Sequence, residues 1–166
     1  MEFRRQTTRR LHEEHETSFD ACTRLEQALT ARARGGAPPA GDPQWGSLAR
    51  GLDAELGAEV LRHFDFEERS LFPLLEEGGE GDIASLLIEE HDAIRECSAM
   101  LRPMLARSRE TALDAQEWRV LTMLGRELAE RLVSHAQKEE MALLPALDDL
   151  LDDDRDRDLF NEYVLA

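Results

Sequence analysis

The sequence predicts an all-α fold, an antiparallel up-down-up-down four-helix bundle with a short C-terminal helical extension. Strand signals are nearly absent, because no run of alternating β-branched residues occurs and aromatic residues make up only 5% of the chain. Long amphipathic segments are joined by short stretches rich in glycine, proline and acidic residues. Such short connections favour helices that pack antiparallel to their neighbours, and inward side chains of facing helices can then build a site.

Two helices are expected in the first half of the chain. The first fits from about Thr8 to Arg34 and ends at two glycines. Asp42 followed by proline is typical of an N-cap with proline at the first helical position, so the second helix is expected to begin there. We expect it to reach Pro73 or slightly beyond, because proline disrupts a helix interior.

Two further helices are expected in the second half. Asp82 is placed as the cap of the third helix, and Pro103 is expected to kink or end it, since proline removes a helical hydrogen bond. Asp114 and Glu117 form the pattern of a capping box ahead of the fourth helix, which is expected to reach Pro145.

The chain length and its acidic tail define the expected domain organisation. A chain of 166 residues and 18.9 kDa fits one domain with a substantial core. We expect a single domain over residues 1–166, with its core at about 8–147 and an acidic C-terminal extension at 148–166. That extension is expected to fold back on the bundle as a short helix, with its charges on a solvated face.

The charge balance excludes several classes of function. A net charge of −16 would repel phosphate backbones and anionic lipid heads, so we expect neither a nucleic-acid nor a membrane partner. No apolar run approaches the roughly 20 residues that span a bilayer. The basic N-terminus is not followed by an apolar stretch, and only two cysteines occur. A cytoplasmic location is therefore expected, and no protein partner is assigned.

An internal repeat carries residues with metal-binding chemistry. HFDFEERSLFPLL at His63 aligns with HAQKEEMALLPAL at His135, 72 residues later, and Glu-Glu-His ending at His15 aligns with Glu-Glu-His ending at His91. On a helix, residues four apart lie on one face, so each H-x3-E pair can aim at one point. The predicted metal ligands are His15, His63, Glu67, His91, His135 and Glu139.

Four imidazoles with two carboxylates suit iron, manganese or zinc, and carboxylates that are free to bridge favour two ions over one. The alternative is a purely hydrogen-bonded polar core. Burying six such groups without compensation would cost on the order of several kcal/mol each, and the sum exceeds a typical stability of roughly 5–15 kcal/mol.

Glu68 and Glu140 are interpreted as exposed charges or as outer partners of the ligands. His12 is either a fifth imidazole or a solvated residue beside the apolar stripe.

The joint pattern resembles the hemerythrin family, in its bacterial HHE cation-binding branch, from about His12 to Leu147. The matching motifs are E-H in the first helix, H-x3-E-E with L-F-P in the second, E-H-D in the third and H-x3-E-E with L-L-P in the fourth. The resemblance implies a non-haem centre of two iron ions, bridged by the two glutamates. It implies that one iron is served by His15 and His63, and the other by His91 and His135. The E-x-x-H motif of ferritin-like bundles is absent.

One departure from the family pattern bears on function. Oxygen-carrying members have a second histidine one turn after the third-helix ligand, and this chain has Arg95 there. Water, His12 or a carboxylate such as Glu90 could fill that place. A missing ligand leaves the metals more open, which favours reaction with dioxygen, peroxide or nitric oxide, or iron handling, over simple oxygen transport.

Three functions remain open at this point. The first is a di-iron protein that binds dioxygen, peroxide or nitric oxide for sensing, scavenging or iron handling. The second is a di-iron enzyme of the peroxidase or oxidase type, which uses the same ligands. The third is an interaction module whose metal is purely structural. The sequence does not choose between the first two, because they differ in access and redox potential rather than in ligands.

Overall fold

The computed structural model describes residues 3–165, and the described chain is helical without any β-strand. In this part of the chain there are five helices: α1 (Gln6–Ala31), α2 (43–77), α3 (Gly81–Glu110), α4 (115–150) and α5 (Asp153–Leu165). The first four form the predicted bundle, and α5 packs back against α1. No helix within the described residues is both long enough and apolar enough to cross a membrane.

Helices α2 and α4 are composite. In α2, the α-helical segments Pro43–Ala54, Val60–Phe66 and Phe72–Glu77 are separated by π-helical turns at Glu55–Glu59 and Glu67–Leu71. In α4, the segments Ala115–Lys138 and Leu144–Leu150 flank a π-helical turn at Glu139–Leu143. Two of these turns begin at Glu67 and Glu139, which are equivalent positions of the repeat. Single π turns inside α-helices are frequent at functional sites.

The second helix ends slightly beyond Pro73, as predicted, whereas the fourth continues past Pro145, where it was expected to end. Both helices continue beyond Pro73 and Pro145, to Glu77 and Leu150. In each case the residue before the proline donates its N–H to a carbonyl five residues back, and the donors are Phe72 and Leu144. Proline normally clashes with the carbonyl four residues earlier. We attribute the continuation to the wider π turn, which moves that carbonyl away from the proline ring.

The predicted helix starts are confirmed for α2 and α4 and are wrong by two residues for α3. Asp42 caps α2 through the Trp45 N–H at 2.8 Å, and the capping box ahead of α4 is present. Asp82, however, lies in the first turn of α3, because the helix begins at Gly81 and its N-cap is Glu80. Pro103 lies inside α3 and does not end it.

The core consists of two apolar clusters on either side of a polar layer. Along α1, Leu11 belongs to one cluster and Cys22 to the other, whereas α2 passes in the opposite order, from Phe64 to Phe66. The third helix repeats the order of α1, and α4 repeats that of α2. This alternation confirms the up-down-up-down arrangement. In every helix the change of cluster falls at the predicted ligands, so these residues lie in the middle of the bundle.

The acidic extension is not wholly a solvated face. Asp148 accepts hydrogen bonds from the backbone N–H groups of Arg4 and Arg5, and Asp156 accepts from those of Gln6 and Thr7, all at 2.8–2.9 Å. Helix α1 has no side-chain cap at its own N-cap residue. These two buried carboxylates therefore satisfy the N–H groups that a helix start leaves without partners.

Candidate metal centre

All six predicted ligands are buried together in the polar layer. They form two groups whose potential donor atoms lie within 4.8 Å of one another: His15 and His63 in one, His91 and His135 in the other, with Glu67 and Glu139 shared by both. The spacing of four residues acts as predicted. Nε2 of His63 lies 3.0 Å from Glu67, and Nε2 of His135 lies 3.1 Å from Glu139. The two H-x3-E pairs thus meet at one centre.

The separations between donor atoms fit shared cations. The Nε2 atoms of His15 and His63 are 3.3 Å apart, and those of His91 and His135 are 2.9 Å apart. Two nitrogens bound about 2.0–2.1 Å from one ion, at roughly 90–110° to each other, lie about 2.8–3.4 Å apart. The imidazoles therefore converge in pairs, as two ligands of one ion do.

The shared carboxylates provide a second test of fit. Glu67 and Glu139 are both 0% exposed, and all four of their carboxylate oxygens lack a hydrogen-bond partner. Histidine nitrogens lie 3.0–3.3 Å from these oxygens but not in hydrogen-bond geometry. Leaving buried carboxylates without hydrogen bonds is costly. Coordination of cations by these oxygens removes that cost, so the residues present suit a metal centre.

A ring of four carboxylates surrounds the centre and holds the outer nitrogen of each imidazole. The pairs and their Nδ1 to oxygen distances are His15 with Glu140 (2.8 Å), His63 with Glu14 (2.8 Å), His91 with Glu68 (2.7 Å) and His135 with Glu90 (3.1 Å). Each bundle helix supplies one histidine and one of these glutamates, so the ring closes around the bundle. A carboxylate on Nδ1–H fixes the tautomer and turns Nε2 towards the metal, which is the usual support for a histidine ligand.

This ring revises several interpretations made from the sequence. Glu68 and Glu140 are outer partners of histidines, one of the two roles considered for them. Glu90 supports His135 and does not occupy the missing ligand position. His12 lies outside both donor groups, with Nδ1 2.8 Å from Glu140. Glu14 is a member of the ring to which the sequence analysis gave no role, although it belongs to the E-H motif and precedes His15 as Glu90 precedes His91.

Arg95, which stands at the place of the fifth histidine, faces the carboxylate ring. Its guanidinium donates to Glu68 at 2.7 Å and to Asp65 at 3.1 Å. The central guanidinium carbon lies over the ring of Phe64, 5.5 Å from the ring centroid. Phe64 in turn stacks on the His91 imidazole at 3.7 Å and 9°. An apolar ring, and not another donor, therefore lies beside the second histidine pair.

The charges in the centre shift the pKa values of the histidines His63 and His91 and of the glutamates Glu67 and Glu139. Burial disfavours the imidazolium form, but neighbouring carboxylates outweigh it, so the pKa of His91 rises to about 9 and the pKa of His63 lies well above its ordinary value. Burial likewise opposes ionisation of the glutamates. The adjacent histidines nevertheless lower the pKa of Glu67, and they lower that of Glu139 well below its ordinary value. Metal binding to His63 and His91 would therefore displace protons from their imidazoles.

We expect the stabilisation conferred by metal to increase as the pH rises from about 6 to about 9. Groups with a raised pKa stabilise the metal-free fold below the unfolded value of about 6.5. That stability is lost as the pH rises through the folded pKa, which is about 9 for His91. The loaded protein has already exchanged these protons for ions. Melting scans of loaded and chelated protein across this range test the prediction, and a separation that is independent of pH contradicts it.

A cavity of about 410 Å³ reaches the centre between α1 and α2. The metal group contributes His15, His63, His135 and Glu139 to its lining, whereas the apolar wall consists of Val60, Phe64, Leu132 and Ala136. Thr17 and Glu13 are exposed at its rim, so the cavity connects the centre with the surface. Access is thus provided on the side of His15 and His63.

Four antiparallel helices around two joined histidine and glutamate groups define a metal-binding helical bundle. The family model described as the hemerythrin HHE cation-binding domain matches residues 6–158. The chain therefore belongs to the hemerythrin HHE cation-binding domain family, and the resemblance found in its sequence motifs is confirmed. No curated protein gives a significant match to the chain.

Proposed function

We propose that this protein holds two iron ions and uses them to bind dioxygen or a related small ligand, peroxide or nitric oxide, for sensing, scavenging or iron handling. The observation that carries the proposal is the pair of fully buried carboxylates that belong to both donor groups and have no hydrogen-bond partner. In this proposal His15 and His63 bind one ion, and His91 and His135 bind the other. Glu67 and Glu139 bridge the two. Manganese or zinc would fit the same donor set.

The chain's own residues orient and insulate the centre. When bound, the two ions supply redox and Lewis-acid chemistry to a small ligand. The carboxylate ring keeps each Nδ1 protonated and each Nε2 directed inward. Phe64 covers the second histidine pair, and the two apolar clusters exclude water above and below the polar layer. A small ligand would reach the centre through the cavity, which both His15 and His63 line.

The cavity argues against a purely structural metal. Structural metal sites are closed, whereas reactive sites keep an open position. Here a cavity of about 410 Å³ leads from the surface to the first histidine pair. Its volume exceeds what a diatomic ligand needs and lies in the range of roughly 300–1,000 Å³ that small-molecule pockets occupy. The same observation favours a second candidate function, a di-iron enzyme of the peroxidase or oxidase type.

The cellular setting that we propose is the cytoplasm. Both cysteines, Cys22 and Cys97, are buried free thiols, as is usual in a reducing compartment. The excess of acidic residues supports the view that neither nucleic acid nor an anionic membrane is a partner.

Visible absorption spectra of the iron-loaded protein test the proposal. Ferrous protein prepared without oxygen is expected to change its spectrum when dioxygen, hydrogen peroxide or nitric oxide is added, and the change should scale with iron content. The zinc-loaded protein is the control, since zinc has no redox chemistry. An iron-loaded protein that responds to none of the three ligands would contradict the proposal and favour a structural metal.

Narrowing the cavity should slow the approach of ligands without removing the metal. Ala136 lines the cavity and is not one of the predicted ligands, so Ala136→Leu adds apolar volume to the cavity wall. We expect wild-type metal content and a rate of reaction with hydrogen peroxide that is roughly tenfold lower, because access becomes limiting. Stopped-flow absorption measures the rate. An unchanged rate at unchanged metal content would show that ligands enter elsewhere.

A further inference from the structure

The C-terminal helix reaches the metal centre through Tyr163. This residue is 1% exposed, and its ring stacks on Phe66 with the centroids 4.4 Å apart. The guanidinium carbon of Arg62 lies over the Tyr163 ring, 4.3 Å from the ring centroid. Arg62 also donates to the backbone carbonyl of Tyr163 at 3.3 Å. The phenol is therefore fixed in place by α2, although it belongs to α5.

The Tyr163 hydroxyl donates to Oε2 of Glu14. The same oxygen accepts from Nδ1 of His63 at 2.8 Å, and Arg62 donates to the other oxygen at 3.0 Å. The pKa of Glu14 is lowered to about 2: burial opposes ionisation, but the contacts with His63 and Tyr163 outweigh it. A continuous chain of hydrogen bonds thus runs from α5 through α1 to a predicted ligand on α2.

This arrangement is particular to one member of the carboxylate ring. Among the described residues, the additional partners seen for Glu68, Glu90 and Glu140 are Arg95, Lys138 and His12, which all belong to the bundle itself. Glu14 is the member that also receives a hydrogen bond from α5. The family match ends at residue 158, so Tyr163 lies outside the matched segment.

We propose that Tyr163 is a positioning residue of the metal centre, which acts through Glu14 to fix the tautomer and orientation of His63. The inference rests on the proposed function, because it assigns His63 to a metal ion. It also assigns a role to α5, which supports His63 through Tyr163 and Glu14 on the side where the cavity opens. Because coupling between two sites is reciprocal, binding of that ion should in turn stabilise α5.

The test compares Tyr163→Phe with Leu159→Ala in full-length, zinc-loaded protein. The first variant removes the hydroxyl and keeps the ring that stacks on Phe66, whereas the second removes packing from the same helix and keeps the hydroxyl. Zinc is diamagnetic, so NMR of protein labelled with 15N at histidine can follow the four ring Nδ1–H protons. In Tyr163→Phe we expect the His63 proton to shift and to exchange with water roughly tenfold faster, with the His91 proton unchanged. Leu159→Ala should leave both unchanged.

A second readout follows from the reciprocity. Zinc loading should slow amide hydrogen exchange over residues 153–165 in the wild type, and Tyr163→Phe should lose most of this protection. An unchanged His63 proton in a Tyr163→Phe variant that binds zinc would overturn the inference and leave the proposed function intact. So would equal changes at all four histidines, or the same His63 change in Leu159→Ala. A wild type that takes up neither zinc nor iron would overturn the proposed function and this inference together.

Discussion

Replacing Glu67 is expected to remove both metal ions, whereas replacing His15 should remove mainly one. Glu67 belongs to both donor groups, and His15 belongs to one. A carboxylate that binds two ions contributes to the affinity of each, so its loss weakens both sites together. After iron reconstitution and removal of unbound metal, Glu67→Ala should hold close to no iron. His15→Ala should keep about one ion per chain.

Two further variants control for side effects of the substitution. Glu67→Gln preserves the volume of the buried side chain and removes its charge, so its loss of metal cannot arise from a cavity. Glu68→Ala changes the neighbouring residue, which holds Nδ1 of His91 from outside the centre. The metal affinity of this variant should fall about 10- to 100-fold, while the number of ions bound per chain at saturating metal stays the same. Full metal content in both Glu67 variants would remove Glu67 from the site.

Removing metal from the wild type is expected to lower its melting temperature by about 8–16 °C for each ion that it loses. Free metal at 1,000 times its dissociation constant stabilises a single site by about 4 kcal/mol. For a chain of this size, each kcal/mol corresponds to roughly 2–4 °C. Differential scanning calorimetry with and without chelator measures the difference. Glu67→Gln should melt at the same temperature with and without chelator, because it holds no metal for the chelator to remove.

The alternative to a metal centre predicts another outcome. If the six residues formed only a hydrogen-bonded polar core, chelation would leave the melting temperature of the wild type unchanged. Equal melting temperatures with and without chelator in the wild type would therefore contradict the metal centre.

The four-helix arrangement and the meeting of the six residues are predictable from the sequence because both depend on spacing within helices. Residues four apart share a helix face whatever the fold, so the spacing alone pairs His63 with Glu67. The repeat then places His135 and Glu139 in the same relation. A hydrophobic pattern of period 3.6 is sufficient to orient each helix inward.

What the sequence did not predict depends on backbone detail or on contacts between distant segments. A π turn has the same local pattern as an α-helix, so Pro145 was wrongly expected to end its helix. Asp156 and Tyr163 lie in an acidic segment that has the composition of a solvated surface. Their partners, Thr7 and Glu14, are 149 residues away in the chain, and no periodicity indicates such pairs.

The measurement that tests the central claim most directly is the metal content of wild-type protein, reconstituted with ferrous iron without oxygen and freed of unbound metal. The claim is that one chain binds two ions between four histidines and two shared glutamates. Elemental analysis gives the iron concentration and amino-acid analysis gives the protein concentration, and together they give the number of iron ions per chain. We predict about two iron ions per chain. A ratio that stays below about half an ion per chain, at any iron concentration offered, would contradict the account.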